Sequence, residues 1–224
     1  MIAYVFSAPS AVGAADVDML INRNDHAATL YIAAPLERVA GVFGPDAAAL
    51  FADAAASPGP EVQLALYGAA DQLFDGVSVT AGGVPAGFDG LSLVLHPKDE
   101  LMPFATPWEA ALTASSCTIV DGGGSFAGTG PLMVYAAFQA TELAGGGPIA
   151  FSFPAATGDA ITVSVRDFVG GRFVSAHTTK LQAGETLALA NTQQTRAALF
   201  AAAAALFAIA AALLFLSCRR VRLV

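Results

Sequence analysis

The sequence predicts a mainly β domain, either an antiparallel sandwich or a sheet carrying a few short helices, followed by one C-terminal transmembrane helix. Three observations carry this. Short β-capable runs recur between residues 16 and 190, turn residues separate them, and residues 197–216 run for 20 positions without a charge or a strongly polar group.

Val17 to Ile21 and Ala28 to Ala33 are the first two β-capable runs. Asn22, Arg23, Asn24 and Asp25 between them favour a turn through side-chain to backbone hydrogen bonds, which predicts an opening hairpin. Pro35 then introduces LERVAGVFG, and Pro45-Asp46 introduces AAALFADAAA; both read as short helices that end by Ser57-Pro58-Gly59-Pro60. Val62, Leu64 and Leu66 alternate with Gln63 and Ala65, the pattern of a half-buried strand. Val77 with Val79, and Leu91 to Leu95, continue the strand signal around a GGVPAG loop.

Thr106-Pro107-Trp108-Glu109 opens a helix to about Ser116. Proline stands at its first position, Thr106 and Glu109 have capping-box spacing, and Trp108 is expected to anchor it in the core. After a glycine-rich loop at Gly122 to Gly130, strands are expected at Leu132 to Phe138, Ile149 to Phe153, Ile161 to Phe168, Arg172 to Lys180 and Glu185 to Ala190. Gly170-Gly171 supplies the positive φ that a tight hairpin turn needs.

The C-terminal segment, taken as residues 197–217, is long enough as a helix to cross the roughly 30 Å hydrocarbon layer. Its bulky residues gather on one side, and Ala201, Ala204, Ala205, Ala208, Ala211 and Ala212 make a small-residue face on the other. Such a face lets another helix backbone approach, so a second transmembrane helix or a membrane complex is the expected partner. Arg219, Arg220 and Arg222 follow in a basic tail over residues 218–224, whereas only Arg196, in the linker 191–196, lies near the span on the domain side. The positive-inside rule therefore puts the C-terminus in the cytoplasm and the domain outside, in a periplasmic or cell-surface position. Residues 1–15 read as the remnant of a signal peptide or as a disordered start, with small residues at Val12-Gly13-Ala14 where a signal peptidase cuts.

Ahead of the basic tail stand seven basic and 18 acidic side chains. A surface so acidic repels phosphate backbones, so nucleic acid is excluded as a partner. Two cysteines, Cys117 and Cys218, build no disulfide framework.

Each segment that approximates a site departs from the pattern its chemistry needs. In GGGSFAGTGP the spacing of Gly123 and Gly128 suits a phosphate-binding loop, but no lysine follows. A dinucleotide fingerprint or a nucleophile elbow at Ser125, with Asp159 or Asp167 and then His177, needs a helix directly afterwards; Gly128, Gly130 and Pro131 forbid one. His26, His96 and His177 are the metal candidates, though none has a Cys, Met or His partner at ligand spacing such as two or four residues away. Asp16, Asp18, Asn22, Asn24 and Asp25 are rich in oxygen but lack EF-hand spacing, and read as turn residues. No catalytic set and no cofactor is implied. The expected role is a single-pass, non-catalytic interaction or accessory subunit of a membrane complex. The alternatives are a metal-handling or enzymatic extracytoplasmic domain and a cytosolic tail-anchored adaptor.

Overall fold

The computed structural model describes residues 15–24, 27–38, 45–56, 61–75, 78–87, 89–98, 102–116, 131–140, 148–152, 160–182 and 184–189. The expected transmembrane helix, its alanine face, the three C-terminal arginines, the linker, the glycine-rich loop, Cys117, Asp25 and His26 all lie outside them. Among the described residues no helix is long and apolar enough to cross a membrane.

The mainly β class holds. One sheet has six strands, β1 (Val17–Arg23), β2 (Ala28–Pro35), β5 (Asp89–Pro97), β6 (Leu132–Ala140), β8 (Ile161–Val169) and β9 (Arg172–Leu181), in the order β5-β6-β2-β1-β8-β9. The other has four, β3 (Ser78–Ala81), β4 (Val84–Ala86), β7 (Ile149–Ser152) and β10 (Thr186–Leu189), in the order β10-β7-β3-β4. The opening hairpin pairs Ile21 with Leu30 and Met19 with Ile32, which sends both pairs into one core.

That core lies on one face of the large sheet. It joins Met19, Ile21, Leu30, Ile32, Val134 and Phe138 to Val79, Ile149, Phe151, Leu187 and Leu189 of the small sheet. Two helices, α1 (Pro45–Ala56) and α2 (Glu61–Asp75), add Phe51, Leu66, Ala69 and Ala70 to it. The opposite face of the large sheet carries α3 (Pro107–Ala114), which sits on Leu20, Tyr31, Ala137 and Phe168. Strands β2 and β6 are therefore covered on both faces and read as nearly unbroken apolar runs. In β8 buried and half-buried residues alternate over Ile161–Arg166, as expected of a strand with one face covered, and β9 is exposed along most of its length.

Three expectations are corrected. The large sheet is not wholly antiparallel, because β1 pairs parallel to β8, with Met19 opposite Val165. Residues 62–66 are not a strand but part of α2. Leu64 is 74% exposed while Leu66, Ala69 and Ala70 are buried, a 3.6-residue period that the short alternation imitates over five positions. The GGVPAG loop is a turn at Gly82-Gly83, at φ 59° and 88°, that leads into β4.

A buried ion pair fixes the β1–β8 junction: the Arg23 guanidinium grips the Asp167 carboxylate. The β8–β9 turn is tied to the same end of β1. Gly170 donates its amide to the Arg23 carbonyl at 2.7 Å, and Gly171 donates to Asn22 Oδ1 at 3.0 Å.

Candidate functional site

The exposed face of α3 carries two of the large apolar side chains that stand exposed among the described residues, Trp108 and Leu112. The capping box forms as its sequence predicts: Thr106 Oγ1 accepts the Glu109 amide at 3.2 Å, and Glu109 Oε2 accepts the amides of Thr106 and Ala105 at 3.0 and 2.9 Å. At the other end Thr113 Oγ1 donates to the Pro103 carbonyl at 2.7 Å. Ala110, Thr113 and Ala114 are buried against the sheet.

Trp108 is not the core anchor expected of it. It is 72% exposed, and Leu112, one turn later on the same side, is 54% exposed. The reason is geometric. The contact with the sheet is made by alanines, which bring the helix axis close, and positions 108 and 112 lie about 200° around the helix from 110 and 114. Two large apolar side chains thus form a ridge facing solvent.

The segment leading into α3 is held firmly. Arg166 on β8 donates to the carbonyls of Ala105 at 3.0 Å and Phe104 at 2.7 Å, and its guanidinium carbon stands 5.8 Å from the centre of the Phe104 ring. Phe104 in turn leans on Tyr135, ring centres 5.9 Å apart. On the same face of the sheet Phe173 of β9 is 60% exposed and meets Phe168 edge to face at 5.6 Å. Burial raises the Tyr31 and Tyr135 hydroxyls above the ordinary tyrosine value, each offset in part by a hydrogen bond, with the Thr29 side chain and the Met102 backbone respectively.

The structure does not bring the described histidines together. His96 is buried on β5, facing α3, with Nε2 3.0 Å from Ser116 Oγ and its ring edge-on to Tyr135. His177 is exposed on β9, opposite Val165, and so points to the other face. β5 and β9 are the two edges of the six-stranded sheet, about 24 Å apart at ordinary strand spacing. Among the described residues no group of three or more His, Cys, Asp or Glu gathers as metal ligands would.

Three of the oxygen-rich hairpin residues accept backbone amides. Asn24 Oδ1 accepts the Ala27 amide, Asn22 Oδ1 that of Gly171, and Asp16 Oδ2 that of Thr162, while Asp16 Oδ1 faces Arg38 at 3.4 Å. Asp167 is likewise committed to Arg23 and is no partner for His177. Ser125 and Asp159 lie outside the described residues.

No family model matches this chain, and no curated protein matches it. The surface must therefore be read from its own chemistry. Exposed Trp and Phe on a well-held scaffold favour contact with another macromolecule, because aromatic anchors combine large area with few rotamers to lose. Sequence reading missed this surface: a tryptophan beside a helix cap looks the same whether the helix presents it inward or outward. The helical phase relative to Ala110 and Ala114 was the available signal.

Proposed function

We propose that the chain is a non-catalytic accessory subunit, held in a membrane by a C-terminal helix over residues 197–217, whose domain binds another protein on the extracytoplasmic side. The observation that supports binding is the Trp108–Leu112 ridge. Large apolar side chains exposed in register on a capped helix are the material of interface hot spots, where single truncations often cost about 2 kcal/mol or more. The support for the anchor is the uncharged 20-residue run followed by three arginines.

Affinity purification of the full chain from native membranes in mild detergent tests both parts. The W108A/L112A variant is expected to lose a partner that binds through the domain. Deletion of residues 197–224 is expected to release the chain from the membrane and to lose partners that bind through the helix. If both variants keep every partner of the unaltered chain, the reading is overturned. Protease added to sealed cells is expected to reach the domain; a protected domain with Met1 retained would place it in the cytosol instead.

A further inference from the structure

Strand β9 is the edge of the large sheet, and among the described residues β8 is its only neighbour. Edge strands are usually kept from pairing by proline, by charge along their length, by bulges or by a covering element. At the far edge β5 carries Pro97 and packs beside α2. β9 has no proline and no glycine, and its guards stand at its ends. A bulge at Val174, where Asp167 pairs with Ser175 and Phe168 with Phe173, interrupts pairing near Arg172. Lys180 stands near the other end. Between them Ser175 to Thr179 include no Asp, Glu, Lys or Arg, are mostly exposed and keep regular register with β8.

We propose that this edge takes up an extended segment of a partner protein as an added strand along Ser175–Leu181, with carboxylates of that segment meeting Arg172 and Lys180. The main chain supplies the pairing, and charge supplies the choice of partner. Both charged side chains on β9 are cations, in a chain whose net charge is −8. An acidic-flanked segment is attracted to this strand though the rest of the protein repels it. A second copy of the chain suits the edge poorly. Antiparallel pairing along the whole strand sets Arg172 of each copy at or next to Lys180 of the other, and it brings two domains of like charge together. Phe173, exposed beside Arg172, offers an apolar contact to one flanking residue of the incoming segment.

This inference stands on β9 and does not depend on the Trp108–Leu112 ridge. The test uses the full chain in detergent and an eight-residue peptide, Glu-Thr-Val-Thr-Val-Thr-Val-Glu, whose glutamates fall on opposite faces, as Arg172 and Lys180 do where the bulge leaves them opposite Val169 and Thr162. Hydrogen exchange is expected to show protection of amides within Ser175–Leu181 when the peptide is added. The R172E/K180E variant, altered only at exposed side chains, is expected to bind this peptide roughly tenfold or more weakly and to prefer a peptide with lysine at both ends. W108A/L112A is expected to bind the glutamate peptide as the unaltered chain does. Absence of binding, protection elsewhere than β9, or indifference to the charge reversal overturns the proposal. Concentration-dependent protection of β9 without peptide overturns it in favour of a second copy.

Discussion

Arg23 holds β8 at two points: its guanidinium binds Asp167 through two nitrogens, with Nε 3.0 Å from Oδ1, and its carbonyl accepts the Gly170 amide at 2.7 Å. Both side chains are buried, so the pair contributes little beyond what two apolar residues would, yet each partner alone is a charge out of water. Together the contacts fix the register of the parallel β1–β8 junction, which joins residues more than 140 positions apart in sequence.

Removing one partner is therefore expected to cost far more than removing both. Arg23→Ala leaves the Asp167 carboxylate buried and uncompensated and should lower unfolding stability by about 3–5 kcal/mol. The R23M/D167L double variant should recover most of that loss. Urea unfolding followed by circular dichroism gives the comparison, and additive losses in the two single variants would show that the charges do not act as a pair.

The β8–β9 turn sets a second expectation. Gly170 and Gly171 have φ of 56° and 74°, and a Cβ added at either meets no atom within 4 Å. Any cost of substitution is then conformational. Gly171→Ala should lose about 1–2 kcal/mol, and Gly171→Asn less, because asparagine tolerates the left-handed region. Thermal midpoints of the two variants provide the measurement; equal losses would point to a steric cause.

These two features differ in how legible they were beforehand. Gly170-Gly171 between two β-capable runs announces its turn because only glycine fits the required φ readily. Thr106 and Glu109 announce their helix because a capping box is local chemistry. The Arg23–Asp167 pair has no local signature: Arg23 sat among residues read as a turn, and its partner lies on a strand that the sequence does not mark as a neighbour. The helix at Glu61–Asp75 was misread for a different reason. Five residues cannot separate a period of 2 from one of 3.6 when alanine fills the positions between. β9 was legible as a strand but not as an edge, because exposure on both faces is a property of its neighbours.

Tyr31 and Tyr135 make the stability depend on alkaline pH. Burial raises both hydroxyls above the ordinary value of 10.0, so the folded chain holds these protons more tightly than the unfolded chain does. Their contribution is complete below about pH 10 and is lost as pH rises through the raised values. The urea midpoint is expected to fall above about pH 10. Tyr135→Phe keeps the ring against Phe104 and His96 but removes the ionisable group, so it should flatten that fall while losing the hydrogen bond with the Met102 backbone. An unchanged slope in the variant would assign the alkaline loss to other groups.

His96 and Ser116 look at first like a base and a nucleophile, and the hydrogen-bond directions argue the reverse. Ser116 Oγ lies 2.6 Å from the Thr113 carbonyl oxygen, which can only accept, so the hydroxyl proton points there. The same oxygen, 3.0 Å from His96 Nε2, must then accept from the ring. A histidine that donates to serine does not draw off its proton, and the pair ties β5 to the end of α3. A fluorophosphonate probe is expected to leave Ser116 unlabelled, and nitrogen NMR to show His96 with its proton on Nε2. Ser116→Ala removes that acceptor from a buried ring and should cost about 1–3 kcal/mol. Labelling of Ser116, or a proton seen on Nδ1 alone, would restore the nucleophile reading and with it an enzymatic role for the face beneath α3.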